Sequence, residues 1–220
     1  MTNRALALRR LRSQWVSGAT VRAPAEVVRK LGAVQAQDYS QFLWAVGVRA
    51  RGAGAADVEQ AVADGQIVLT WAMRGTLHAV PAEDVYWMLE RLTPRVLAGD
   101  RRRREQLDLG PEQIAFCERL IYGALKERKR MSRQELMDLL ENEGFRTQPQ
   151  RGYHVLWHLA QTGLICMGPK DGKQQTFVLL EDWVRGGRKL PADEALGELA
   201  RRYFAGHGPA LLHDFARSEE

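Results

Sequence analysis

The chain has 220 residues, 45% of them hydrophobic and 27% charged, with a net charge of +5. That length holds one large domain or two small ones around a real core, and the positive balance favours a polyanionic partner such as DNA or RNA. The two cysteines, Cys117 and Cys166, lie far apart with no metal-ligand spacing, and read as small core residues in a reducing cytosol rather than as an obligatory disulfide. No apolar run is long enough to span a membrane and the N-terminus lacks a signal-peptide core, so a cytoplasmic chain is expected.

Residues 4–16 carry Leu6, Leu8, Leu11 and Trp15 between arginines, the pattern of a helix with a basic face, stopped by Ser17-Gly18. Pro24 opens a second helix at its first turn, and Val27, Val28, Leu31 and Val34 form its apolar stripe. Asp38 followed by Gln41 reads as a capping box for a helix from Tyr39 to about Arg49. After the loop Gly52-Ala-Gly54, residues 56–64 predict a short helix. Residues 66–72 and 76–80 predict two strands joined by Met73-Arg74-Gly75. Another helix starts near Pro81 and runs to about Leu97, and Arg101 to Arg104 form the densest basic cluster.

The order then repeats. Residues 111–127 predict a helix, Ser132-Arg-Gln-Glu135 is a capping box opening residues 134–143, and residues 147–161 predict a longer helix. Two strands, 163–168 and 174–180, are joined by Pro169-Lys-Asp-Gly-Lys173. Helix, helix, turn, helix and hairpin is the winged-helix order. A third unit begins with a helix from Pro191-Ala-Asp193 through Phe204 and a short segment from Leu211 to Ala216. It is expected to be truncated, with its last 25 or so residues packing poorly. The chain is therefore expected to be mainly α with small β wings, as tandem winged helix-turn-helix units: 1–98, 99–190, and an incomplete third over 191–220.

The second unit places Arg146, Gln148, Gln150 and Arg151 at the start of its third helix, where base edges and phosphates are met, with Lys170 and Lys173 at the wing tip. Arg74 at the first hairpin turn can reach a phosphate. Arg101 and Arg102 track phosphates or sit in a solvated linker. His154 and His158 have the spacing of a two-histidine metal face, but no third ligand lies near them in sequence, so a structural role is favoured. Gln35-Ala36-Gln37 ends the second helix. In a continuing helix its two amides point about 200° apart. A break at Gln37-Asp38 lets them converge; the bland alternative is that they cap free carbonyls at the helix end.

Three blocks carry a family resemblance: Leu31-Gly-Ala-Val-Gln-Ala-Gln-Asp38, Thr70-Trp-Ala-Met-Arg-Gly-Thr-Leu-His-Ala-Val-Pro-Ala-Glu-Asp84 and Leu199-Ala-Arg-Arg-Tyr-Phe-Ala-Gly-His-Gly-Pro-Ala210. They resemble the AlkZ-like tandem winged-helix DNA glycosylases, which unhook interstrand cross-links and confer azinomycin resistance. The resemblance covers essentially the whole chain. It implies three winged helices in a C-shape and a Gln-apolar-Gln or Gln-apolar-Asp motif in the active site, here Gln35, Ala36 and Gln37. It further implies hydrolysis of the N-glycosidic bond of N7-alkylated purines, by a monomer acting on duplex DNA without metal or cofactor. From the residues alone, a non-catalytic winged-helix regulator and an interaction scaffold remain as alternatives.

Overall fold

The computed structural model describes residues 2–18 and 23–219; the outer limits of the first and third expected units, Met1 and Glu220, lie outside them. Twelve α-helices and six strands are named among the described residues. Helix α1 (Asn3–Ser13) is capped by Thr2 and buries no side chain. Helix α2 (Pro24–Leu31) buries Val27 and Val28, and ends at Gly32, earlier than its apolar stripe suggests. Strand β1 (Val34–Gln35) and helix α3 (Tyr39–Gly47) follow, then α4 (Ala55–Ala63). At α3 only half of the expected capping box forms: Asp38 Oδ1 accepts from the Gln41 N–H at 3.0 Å.

Strands β2 (Ile67–Met73) and β3 (Thr76–Pro81) form a hairpin whose two-residue turn, Arg74-Gly75, has φ of 50° and 69°. Both values are positive, as a type I′ turn requires. Glycine is needed at the second position for space as well. A Cβ on Gly75 would lie 3.1 Å from both Trp157 and Val96, and the Gly75 carbonyl accepts from Trp157 Nε1 at 2.9 Å. A 3₁₀ turn leads into α5 (Val85–Gly99), and Arg101–Gln106 is a separate helix, α6.

The second half contributes α7 (Pro111–Arg128), β4 (Met131–Ser132), α8 (Arg133–Asn142), α9 (Arg151–Gln161), β5 (Ile165–Met167), β6 (Thr176–Leu179) and α10 (Leu180–Trp183). Helix α9 begins four residues later than the sequence suggests. Pro149 disfavours the helical region for Gln148, and Gln150 sits at φ 62°. Arg146, Gln148 and Gln150 therefore lie on the turn before α9, with only Arg151 inside the helix.

The strands assigned to two wings form one antiparallel sheet in the order β1-β3-β2-β5-β6-β4, joined across the halves at Leu69↔Met167. Its side-chain alternation divides the core. Ile67, Leu69, Trp71, Ile165, Met167 and Phe177 face one layer, with Val27, Phe42 and Leu136 from the helices. Val68, Ala72, Cys166 and Val178 face the other, with Trp87, Met88 and Ala195. A strand covered on both faces reads as a continuous apolar run, which is how β2 reads.

The C-terminal segment packs closely, against expectation. Helix α11 (Ala192–His207) contacts α1, α2 and α5. Ala195 and Arg202 on it are buried, as is Phe215 on α12 (Leu212–Glu219), and Tyr203, Phe204 and Phe215 form an aromatic cluster. Ala195 joins the layer of Val68, Trp87 and Met88, while Tyr203, Phe204 and Phe215 pack on one another.

The complete capping box of α8 offers a local test. Ser132 Oγ accepts from the Glu135 N–H at 3.2 Å, and Glu135 Oε2 accepts from the Ser132 N–H at 2.7 Å. Ser132→Ala is expected to cost about 1 kcal/mol, visible as a melting temperature lowered by roughly 2–4 °C.

Candidate active site and nucleic-acid interface

Strand β1 is an edge strand of the sheet, and it carries the Gln-Ala-Gln motif. Val34 pairs with Ala79 and Gln35 with His78, and the ladder continues where the Ala36 N–H donates to Leu77 O at 2.9 Å. Alternation buries Ala36 in the core and leaves Gln35 exposed. At Gln37 the chain bends before α3, as the sequence suggests.

Gln37 folds back onto β3, where its Oε1 accepts from the Leu77 N–H at 3.1 Å. A backbone N–H can meet only an acceptor, so this bond fixes which end of the amide is oxygen. Neither glutamine caps α2. The Gln35 amide makes no hydrogen bond among the described residues.

The structure does not bring the two glutamines into one cavity. Gln37 borders a cleft of about 880 Å³ between the two halves, shared with Tyr39, Arg133, Gln148, Gln150 and Tyr153. Gln35 borders a smaller cavity of about 220 Å³ on the other face of the sheet, with Arg74, His78, Arg202, Tyr203 and His207. The bend after β1 sends the second side chain to the opposite face, which an unbroken extended strand would not do.

Among the expected nucleic-acid residues, Gln148 lies in the large cleft with Gln37. Lys170 Nζ sits 3.4 Å over the Tyr39 ring, which brings the second hairpin to the start of α3, beside the motif. Lys173 is exposed near that hairpin's tip. Arg74 borders the small cavity. Arg101 and Arg102 are exposed on α6, where Arg101 pairs with Glu105 at 3.0 Å. Arg146 and Arg151 lie elsewhere, in a hollow of about 340 Å³ lined also by Asp108, Glu112 and Glu143. Arg151 packs over the Phe145 ring at 4.6 Å and donates to Asp108 O at 3.0 Å, contacts that hold the turn before α9.

Two cleft residues, Arg133 and Tyr153, escaped the sequence reading. Arg133 lies 5.9 Å over the Tyr153 ring, and Tyr153 meets Trp71 edge-on at 6.2 Å. Arg103 donates to Gln150 Oε1 at 2.6 Å. Arg133 stands inside the capping box, and its charge in a helix's first turn, where the helix dipole disfavours cations, was the available signal.

The charged state of the motif's neighbour follows from its bonds. The Gln41 N–H holds the Asp38 carboxyl below its ordinary range, so Asp38 is a cap and a weaker base than a free carboxylate. His154 and His158 stand near Asp100 and Arg104, and burial pushes both imidazoles down. No group able to hold a metal ion occurs among the described residues, and no helix there is long and apolar enough to cross a membrane.

The chain is 26% identical to the solved structure of Streptomyces sahachiroi DNA glycosylase AlkZ, with a TM-score of 0.78, covering 99% of this chain and 60% of that one. It is 30% identical over 220 residues to an interstrand DNA cross-link repair glycosylase of Streptomyces sahachiroi, covering 94% of this chain and 58% of the relative. The chain thus spans under two thirds of the length of the proteins it matches. The pattern of the family described as DNA glycosylase AlkZ-like matches residues 28–217. With nearly the whole chain inside that match, the protein belongs to the AlkZ-like DNA glycosylase family.

Proposed function

We propose that this chain is a monofunctional DNA glycosylase that hydrolyses the N-glycosidic bond of N7-alkylated purines, including bulky and interstrand cross-linked adducts. The observation that carries the reading is the Gln35-Ala36-Gln37 motif on an exposed sheet edge beside a wide cleft, in a chain of this family. The relative named for interstrand cross-link repair supports the substrate class.

The chemistry suits amides. An N7-alkylated purine carries positive charge and leaves with the bonding electron pair without a strong acid. What remains is to place a water and to favour the cationic sugar, both within reach of oriented amide dipoles. A base tied to both strands cannot swing fully into a closed pocket, and a cleft between two halves suits it better than a flipped-base pocket does.

In this reading the two halves, 1–98 and 99–190, act as winged-helix units and 191–220 starts a third. Gln148, Lys170 and Lys173, with Arg103 and Arg133, meet DNA along the cleft. Arg74, Arg101 and Arg102 contact phosphates outside it, and the protein works on duplex DNA as a monomer.

The test is duplex DNA containing N7-methylguanine, or a nitrogen-mustard cross-link, incubated with the protein and then heated in alkali. Strand breaks at the lesion, marking abasic sites, are the expected result. Salt-sensitive DNA binding with no abasic product on either lesion would instead leave a binding protein that does no chemistry.

A further inference from the structure

The small cavity beside Gln35 contains a second group suited to the reaction. Gln35, His78 and Thr70 are directly opposed residues on three adjacent strands, β1, β3 and β2, and so form one row across a single face of the sheet. His78 is 4% exposed and Thr70 is fully buried. Thr70 Oγ1 has no hydrogen-bond partner. Buried hydroxyls in native proteins are nearly always satisfied, so this orphan, paired across the strands with His78, calls for a partner such as a water.

His78 has one nitrogen committed. Its Nδ1 lies 2.9 Å from the Thr76 carbonyl, which can only accept, so Nδ1 carries the hydrogen. In the neutral ring the remaining nitrogen, Nε2, is then an acceptor, and it makes no hydrogen bond among the described residues.

We infer that His78 is the general base of the reaction, with Gln35 and His78 holding the attacking water in the small cavity while the departing purine occupies the cleft on the Gln37 side. The inference rests on the glycosylase reading above. The two cavities lie on opposite faces of the sheet edge that carries the motif, which suits a sugar at that edge with the base leaving one way and water entering the other. The cavity of about 220 Å³ admits water and part of a sugar, while the cleft of about 880 Å³ admits an alkylated base. In the step, the C1′–N9 bond breaks and its electron pair neutralises the purine cation. The water oxygen bonds to C1′, and its proton passes to His78 Nε2 and then to solvent. The products are the free alkylated purine and an abasic sugar.

Several groups surround this imidazole. Burial lowers its pKa, the bond to Thr76 opposes that, and the Arg74 charge lowers it further. Arg202, Tyr203 and His207 of α11 border the same cavity, and burial also lowers His207. With its pKa below the ordinary imidazole value, His78 is neutral and able to accept a proton at neutral pH. An imidazole is a far stronger base than an amide, which gives the site the base that two glutamines lack.

The experiment is single-turnover release of N7-methylguanine from duplex DNA between about pH 5 and 8, corrected for spontaneous depurination. It compares the full chain with His78→Gln and with His78→Ala plus added imidazole. The wild-type rate should be level at high pH and fall about tenfold per unit below the His78 pKa. His78→Gln should lower the plateau by about 100-fold, the low end for general-base catalysis because the leaving group departs largely unaided, and remove the acid limb. Imidazole should restore part of the His78→Ala rate, which a purely structural role would not allow.

A wild-type acid limb that persists in His78→Gln, or a plateau within a few-fold, would overturn the inference and leave the glycosylase reading standing. Absence of product from wild type would remove both. Should the variants fail to fold, ¹⁵N-imidazole spectra of the wild type decide: a neutral His78 with its hydrogen on Nδ1 supports the assignment, and a charged ring or the other tautomer at neutral pH overturns it.

Discussion

Replacing Arg202 with methionine is expected to destabilise the fold by about 3–5 kcal/mol, the loss typical when one partner of a buried ion pair is removed. In a chain of this size that is a melting temperature lower by roughly 10 °C. Arg202 is 4% exposed on α11, and its Nη1 lies 2.7 Å from Asp84 Oδ2 while its Nη2 lies 2.7 Å from Glu198 Oε1. Asp84 is fully buried and also accepts from Trp87 Nε1 at 2.7 Å, so the methionine variant strands a charge between α5 and α11. Among the described residues the ion pair left to it is with Arg188, at 3.2 Å, a side chain 41% exposed.

Adding Asp84→Asn to Arg202→Met should recover part of the loss, because the uncompensated charge disappears while the Trp87 partner stays. The variant should also lose acid sensitivity. Hydrogen bonding from Arg201, with the Arg202 charge, holds the Glu198 carboxyl down at about 2. A carboxyl lowered in the folded state stabilises above its ordinary value, and that stability fades as pH falls from about 4.5 towards 2. Arg202→Met removes one of the groups responsible, so its stability should decline less steeply over that range. Thermal melts of the two variants at neutral and acidic pH settle both points. A loss below about 1 kcal/mol, the worth of an exposed pair, would refute the buried-anchor account.

That anchor shows where the sequence was legible and where it was not. The start of α2 at Pro24 and the capping box of α8 follow from local signals, and so did the β2–β3 hairpin. The joining of both hairpins into one sheet was not readable. The run Ile67-Val-Leu-Thr-Trp-Ala states that β2 is covered on both faces, but not that Met167 lies beside Leu69. The tail was misjudged for a related reason: Arg202 reads as a surface charge, and its partner Asp84 is more than a hundred residues away. At the site, the break after Gln37 was visible in Asp38 and Gln41, whereas the turning of Gln37 away from Gln35 depends on the Leu77 N–H, 40 residues distant. His78 was passed over because its opposition to Gln35 is a matter of strand register, which spacing in one chain does not reveal.

Gln37→Ala is expected to lower the rate of base release by about 100- to 1000-fold, the range for removing one preorganised dipole from a site of developing charge. The orientation of Gln37 gives the reason. Its Oε1 is held by the Leu77 N–H, so the amide needs little reorganisation when the sugar becomes cationic, and the oxygen keeps a second lone pair for that charge. Alanine removes the dipole and leaves Leu77 to water, a loss of about 1 kcal/mol in stability because the position is exposed. Duplex affinity should be unchanged.

Gln37→Glu separates the dipole from the amide. A carboxylate of the same length still accepts from Leu77 and faces the cation with a full charge. Its rate should stay within about tenfold of wild type at neutral pH and fall as the carboxylate protonates, near about pH 4.3 if unperturbed. Single-turnover release of N7-methylguanine, with melts and salt-dependent binding alongside, reads all three proteins. An alanine variant that releases base at nearly the wild-type rate would remove Gln37 from the chemistry. A glutamate variant as slow as alanine would show that the amide N–H groups are what the reaction requires.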